Sequence, residues 1–163
     1  MKNKKQYGFT LLELMVVIVI LGVLSMIGIS AFTSSQIRSR DTKRKADLAN
    51  FQKSLEFYYN DYNSFPLSDA EGQIICQTDG TVCPWGEQFA DEKGTIYMIR
   101  LPKEGSGSRR YFYISDGIDY RVYALLENTE DSGLITPGVA TNCAASGSSV
   151  DCNYGIASVN IMP

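Results

Sequence analysis

One carboxylate stands where lipid-like sequence would exclude it. From Phe9 to Phe32 the only charged side chain is Glu13, in the stretch GFTLLEL. A carboxylate in an apolar segment is costly unless it meets a cation, so Glu13 points to a specific partner. Other chemistry is sparse. The chain has no histidine, which removes Ser-His-Asp and Cys-His catalysis and histidine-bearing zinc sites together. The four cysteines, Cys76, Cys83, Cys143 and Cys152, are spaced Cys-x6-Cys and Cys-x8-Cys, without the close pairs of a zinc site. They read as two disulfides in an oxidising compartment. Three connectivities are possible, and the sequence-local pairs Cys76–Cys83 and Cys143–Cys152 are favoured. Asp69, Glu71, Asp91 and Glu92 cluster in sequence as a glycosidase pair could, but surface acids are the favoured reading. No GxGxxG or GxxxxGK stretch is present to cradle a nucleotide. Nothing in this inventory makes an enzyme.

The elements that must position Glu13 begin with the apolar run itself. At about 1.5 Å per residue, Phe9–Phe32 is long enough for a hydrocarbon core of about 30 Å. A cleaved secretory signal is a poorer reading, because its apolar body is shorter and an A-x-A site should follow. Lys2, Lys4 and Lys5 precede the run, and Arg38, Arg40, Lys43, Arg44 and Lys45 follow it. Net charge is −3, and from Ala46 onward acids outnumber bases roughly two to one, which argues against a nucleic-acid footprint.

Past Phe32 the pattern stays helical and turns amphipathic. Leu48, Phe51, Leu55, Tyr58 and Tyr62 recur every three or four residues as one apolar stripe. Asp41 and Lys45 are spaced as an i,i+4 pair. Asn60-Asp61, Asn63-Ser64 and Pro66 end the helix near Tyr62. The remainder reads as β. Ile96–Leu101 is one strand, and Tyr111–Ile114 and Tyr120–Leu126 flank an Asp116-Gly117 turn. Tyr120, Val122, Ala124 and Leu126 share one face. EGSGSRR is a flexible connection, and YGIASVNIMP is expected as a last strand. The fold class is α+β. A long N-terminal helix, membrane-spanning in its first half and amphipathic in its second, packs on a small antiparallel β-sheet head.

The stretch KNKKQYGFTLLEL resembles the leader and first helical turns of type IV prepilins and of pseudopilins of type II secretion. It has the basic leader, Gly8 before the cut, Phe9 after it, and Glu13 as fifth residue of the shortened chain. ADLANFQKSLEFYYNDYNSFP, TIYMIRLPKEG and YFYISDGIDYRVYALLE are similar to later segments of that family, so the likeness covers most of residues 1–127. It implies cleavage by a prepilin peptidase between Gly8 and Phe9, N-methylation at Phe9, and assembly through Glu13 meeting the amine of a neighbouring subunit. The domains are then 1–8, a cleaved basic leader; 9–32, a transmembrane and filament-core helix; 33–65, an amphipathic half-helix; and 66–163, a β head with a disulfide-bearing loop and tail. Expected partners are identical and related pilin subunits, the prepilin peptidase, an inner-membrane assembly platform and the lipid bilayer, with no specific nucleic acid. The expected location is the cytoplasmic membrane, single-pass with the N-terminus inside, then a periplasmic or extracellular filament. The first functional expectation is a type IV pilus-like filament subunit. The alternatives are a major pseudopilin of type II secretion and a membrane-anchored binding domain that never assembles. The same likeness raises calcium near Glu127, Glu130 and Asp131, where a solvated acidic turn is favoured over a metal site.

Overall fold

Thr10 starts the main helix. Its hydroxyl accepts the Glu13 amide at 3.2 Å, and its own amide and hydroxyl both donate to Glu13 Oε2 at 2.9 Å. This reciprocal capping box satisfies amides that the first helical turn leaves unpaired. Helix α1 then runs Leu11–Tyr62 in a computed structural model that describes residues 8–105, 107–145, 150–159 and 162–163. Within α1 the side chains of residues 27, 28 and 30 are also outside the description. The leader up to Tyr7, Ser106 of the expected flexible connection, tail residues 146–149, and Asn160 and Ile161 of the expected last strand lie outside the described residues.

The chain divides into two units, one ending at Ser39 and one beginning at Arg40. The first is the apolar part of α1. It is long and hydrophobic enough to cross a membrane, the one such helix among the described residues. Three of its hydroxyls are folded onto the preceding turn: Ser25 to the Leu21 carbonyl at 2.7 Å, Thr33 to Ile29 at 3.1 Å and Ser35 to Ala31 at 2.9 Å. That removes polar atoms which lipid could not satisfy.

The second unit holds the rest of α1 and the strands β1 (Ile74–Ile75), β2 (Val82–Cys83), β3 (Phe89–Ala90), β4 (Ile96–Met98), β5 (Phe112–Ser115), β6 (Tyr120–Ala124), β7 (Val139–Asn142), β8 (Asp151–Cys152) and β9 (Tyr154–Ala157). The helix presents Asp41, Arg44, Leu48, Phe51 and Leu55 as one buried face, at the three-and-four spacing of a helix side. Asn63, at φ 53°, ends α1 by donating its amide to the Tyr59 carbonyl at 2.7 Å, a left-handed cap.

The main sheet is antiparallel in the order β5-β6-β9. Asp116 shapes the β5–β6 turn by accepting the Ile118 and Asp119 amides at 3.0 Å each. Tyr120, Val122 and Ala124 alternate toward α1 and are buried there with Tyr113, Phe89, Ile74 and Leu101. Phe51 meets Tyr113 and Trp85 edge-on at 5.7 and 5.3 Å. Tyr123 faces the other way, into a second small core with Cys143 and Cys152, flanked by Phe112, Ile114 and Val139. The sheet is therefore covered on both sides, by α1 and by the tail. Gly155 in β9 makes room for the Tyr123 ring, since a Cβ there would sit 2.7 Å from it.

Five strand boundaries differ from expectation, among them the ends of β5, one residue further at Ser115, and of β9, at Ala157. β4 stops at Met98 because the Leu101 amide turns to the Glu87 carbonyl at 2.6 Å. β5 starts at Phe112, one residue late, because the Arg110 amide before it is spent on the Cys143 carbonyl at 2.9 Å. β6 stops at Ala124 because the Leu126 amide takes the Asn153 side chain at 2.7 Å.

Candidate assembly site

Gly8 and Phe9 precede the helix, and Phe9 is 80% exposed. The bond between them is thus an accessible, non-helical peptide, the form a protease needs. Glu13 is exposed, at the third helical position, where the helix dipole favours an anion. Both Thr10 donors land on the same oxygen, Oε2. Thr10 is the residue that sequence reasoning passed over, although T-x-x-E ahead of an apolar run is the capping-box signature.

The cysteines pair locally. Cys76–Cys83 closes the β1–β2 hairpin with a Cα–Cα distance of 5.8 Å, and Cys143–Cys152 joins the β7 end to β8 at 5.2 Å.

In the second unit the charged residues form a network at the start of its helix. Arg44 is buried and donates to Asp41 at 2.6 Å, to Glu127 at 2.8 Å and to both oxygens of Glu104. Asp41 also accepts the Glu127 and Asn128 amides, the latter at 2.8 Å. Glu127 further binds Arg40 and Arg109. The Arg40 hydrogen bond holds Glu127 at about 2, against an opposing effect of burial and with Arg44 assisting. Burial alone would weaken the Arg44 charge, but Glu104, Glu127 and Asp41 outweigh it and raise its pKa. The expected Asp41–Lys45 pair is corrected. Asp41 turns inward to Arg44, and Lys45 reaches Asp131 at 2.7 Å. The reason lies in the partners: Asp41 is taken up by Arg44 and by the Glu127 and Asn128 amides, while Asp131 offers both its oxygens to Lys45.

The calcium candidates stand in or beside this network. Glu127 is engaged by arginines, both Asp131 oxygens receive Lys45, and the Glu130 amide binds Asn128. Among the described residues no group of three or more carboxylates, cysteines or histidines is placed to hold a metal ion. Glu104 and Arg109 were not singled out by sequence, because neither sits in a periodic segment.

At the other end of this helix Asp91 is buried and accepts the Tyr62 hydroxyl at 2.8 Å, the Tyr97 hydroxyl at 3.2 Å and the Thr95 amide at 2.7 Å. Burial works against its charge, but these donors win and hold it at about 2.

Residues 3–29 match the family described as "Prokaryotic N-terminal methylation motif". Three relatives share the description "Type II secretion system core protein G". The one from Pseudomonas aeruginosa is 35% identical over 135 residues, 82% of this chain and 92% of its own. That from Aeromonas hydrophila is 31% identical over 108 residues, 66% and 73%. That from Escherichia coli (strain K12) is 29% identical over 138 residues, 85% and 91%. No solved structure gives a significant match. These relatives favour the second functional expectation, a pseudopilin of type II secretion, over the first, a type IV pilus-like filament subunit. The leader is common to surface pili and secretion pseudopili, whereas the likeness here extends through the head, so the secretion reading takes precedence. The family assignment implies association with related pseudopilins, a peptidase and an assembly platform. Identity above 30% over most of such relatives shows that this chain belongs to the type II secretion system core protein G family, structural pseudopilins akin to type IV prepilins rather than enzymes.

Proposed function

We propose that this chain is the repeating subunit of a type II secretion pseudopilus. The precursor waits in the inner membrane with residues 1–8 inside, 9–32 spanning, and the 33–65 half-helix and 66–163 head outside. Hydrolysis of the Gly8–Phe9 amide leaves a carboxylate on Gly8 and an amine on Phe9. Methylation of that amine keeps it cationic near neutral pH. Glu13 then offers its carboxylate to the Phe9 amine of a neighbouring subunit. A buried pair of this kind sets register between helices, because a slip of one residue strands both charges. The capping box supports this reading by holding Glu13 in place while leaving its Oε1 outside the Thr10 bonds.

The observation that carries the proposal is the coincidence of the methylation motif over residues 3–29 with relatives that extend through the head. The test is to shear cells and identify, in released fibres, a chain beginning at methylated Phe9. Glu13→Gln separates the two roles of this side chain. An amide can replace the carboxylate in a capping box, so the helix and membrane insertion survive, while fibres disappear for want of a charge. Normal fibres from Glu13→Gln would refute the pairing.

A further inference from the structure

The second unit carries opposite charge at the two ends of its helix. Arg40 and Tyr62 are separated by roughly 33 Å at 1.5 Å per residue. At the Arg40 end the cation is the more exposed member of each surface ion pair. Arg40 is 48% exposed against 19% for Glu127, and Lys43 is 65% exposed against 20% for Asp47. The Tyr62 end is the reverse. Asp61, Asp91 and Glu92 gather there through the Tyr97 and Tyr62 hydroxyls and the Thr78 hydroxyl, and Asp116 stands on the adjoining turn. Among the described residues lining the two clefts at this end, Lys93 is the one cation. The cleft beside Asp116, about 460 Å³, is lined by Tyr59, Phe65, Leu67 and Ile118, and Ile118 is 76% exposed.

We propose that this acidic Tyr62 end, which carries Asp61 and Glu92 and the apolar cleft beside Asp116, docks the Arg40–Lys43 end of the helix in a second copy of the chain. The inference rests on the filament reading above and adds a contact to it. The occupant follows from charge and shape together. Acidic groups repel lipid phosphates and nucleic acid, whereas long basic side chains lay their methylenes on apolar surface and keep their charges at its rim. Arg40 and Lys43 are such side chains, and they are carried by every copy. Because the two surfaces differ, the contact is heterologous and repeats along a line rather than closing into a pair. Like ends repel, so copies join with one polarity.

The test uses the full chain in cells that make fibres. Lys43→Glu and Asp61→Lys are made singly and together, and sheared fibre is quantified by immunoblot, with urea midpoints measured for each variant. Each single reversal lowers fibre yield by roughly fivefold or more, and the double variant restores it to within about twofold. Lys43→Gln and Asp61→Asn replace any reversal that lowers the midpoint, and each lowers yield in the same direction. Treating wild-type fibres with a zero-length carbodiimide links Lys43 of one copy to Asp61, Glu92 or Asp116 of another, read by mass spectrometry of the peptides. Unchanged yields in singly substituted, folded variants, a double reversal that is folded yet restores nothing, or inter-copy links confined to other residues overturn the contact alone. A wild-type chain that forms no fibre overturns the filament reading and this contact with it.

Discussion

Replacing Arg44 with methionine removes the centre of the charged network and keeps a side chain of comparable reach. The three carboxylates it serves are affected unequally. Asp41 retains the Glu127 and Asn128 amides, and Glu127 retains Arg40 and Arg109. Glu104 loses both guanidinium bonds while its side chain is only 6% exposed. The variant therefore strands a buried carboxylate, a change that costs about 3–5 kcal/mol. For a unit of this size, about 3–5 °C is lost per kcal/mol, so Tm falls by roughly 10–20 °C. Urea titration of the detergent-solubilised chain, followed by near-UV circular dichroism, reads this directly. Trp85 reports on the core because its indole packs on Phe51 and donates to the Gly72 carbonyl at 3.1 Å. Adding Glu104→Gln to Arg44→Met returns about 1–2 kcal/mol, since a neutral amide is cheaper to bury than an unpaired anion. A loss below about 1 kcal/mol in the single variant, or no recovery in the double, refutes the assignment of Arg44 as the counter-charge of Glu104.

Acid should weaken the head in a defined window. Glu127 and Asp91 are both held at about 2, below their ordinary values of 4.5 and 3.8. Depressed carboxylates contribute fully above their unfolded values and lose that contribution as pH falls toward the folded ones. The urea midpoint is thus level from about pH 5 to 8 and declines from about pH 4.5 to 2, with about 1–2 kcal/mol from Glu127 after solvent screening; a midpoint level down to pH 2 refutes this. Removing calcium with a chelator leaves Tm unchanged within about 1 °C, because Lys45 and the arginines already neutralise Asp131 and Glu127; a rise of several degrees on adding calcium overturns that account. Gly155→Ala destabilises by about 1–3 kcal/mol, because its methyl would lie 2.7 Å from the Tyr123 ring and 3.1 Å from the Val122 carbonyl; a wild-type urea midpoint would show that the ring shifts freely.

Periodicity explains which parts could be read in advance. Leu48, Phe51 and Leu55 repeat often enough for burial to leave a pattern, and all three are buried. Tyr120, Val122 and Ala124 do the same at a period of two and share one core, whereas Leu126, expected on that face, is buried beyond the end of the strand. The stripe also continues backward through Arg44 and Asp41, but there it is polar, and a hydrophobic pattern cannot announce a buried ion pair. β1, β2, β3 and β8 are two residues each, too short for alternation to show. Their place depends on the disulfides and on distant partners such as Gly72, whose carbonyl receives the Tyr113 amide at 3.0 Å. Thr10 was legible as a cap, yet the rarity of Glu13 in an apolar run drew the reading to charge and away from geometry.

The sheet order has a consequence for synthesis. β6 lies between β5 and β9, and β9 comes from Tyr154–Ala157, some thirty residues later. Until that segment has been made, β6 has one open edge. The Cys143–Cys152 bond, part of the cover over Tyr123, also waits for residues just before it. A chain stalled before Tyr154 would display an unpaired strand, which proteases and chaperones recognise. The arrangement makes synthesis through Ala157 a condition for a closed head, and so a checkpoint on which copies are fit to enter a fibre.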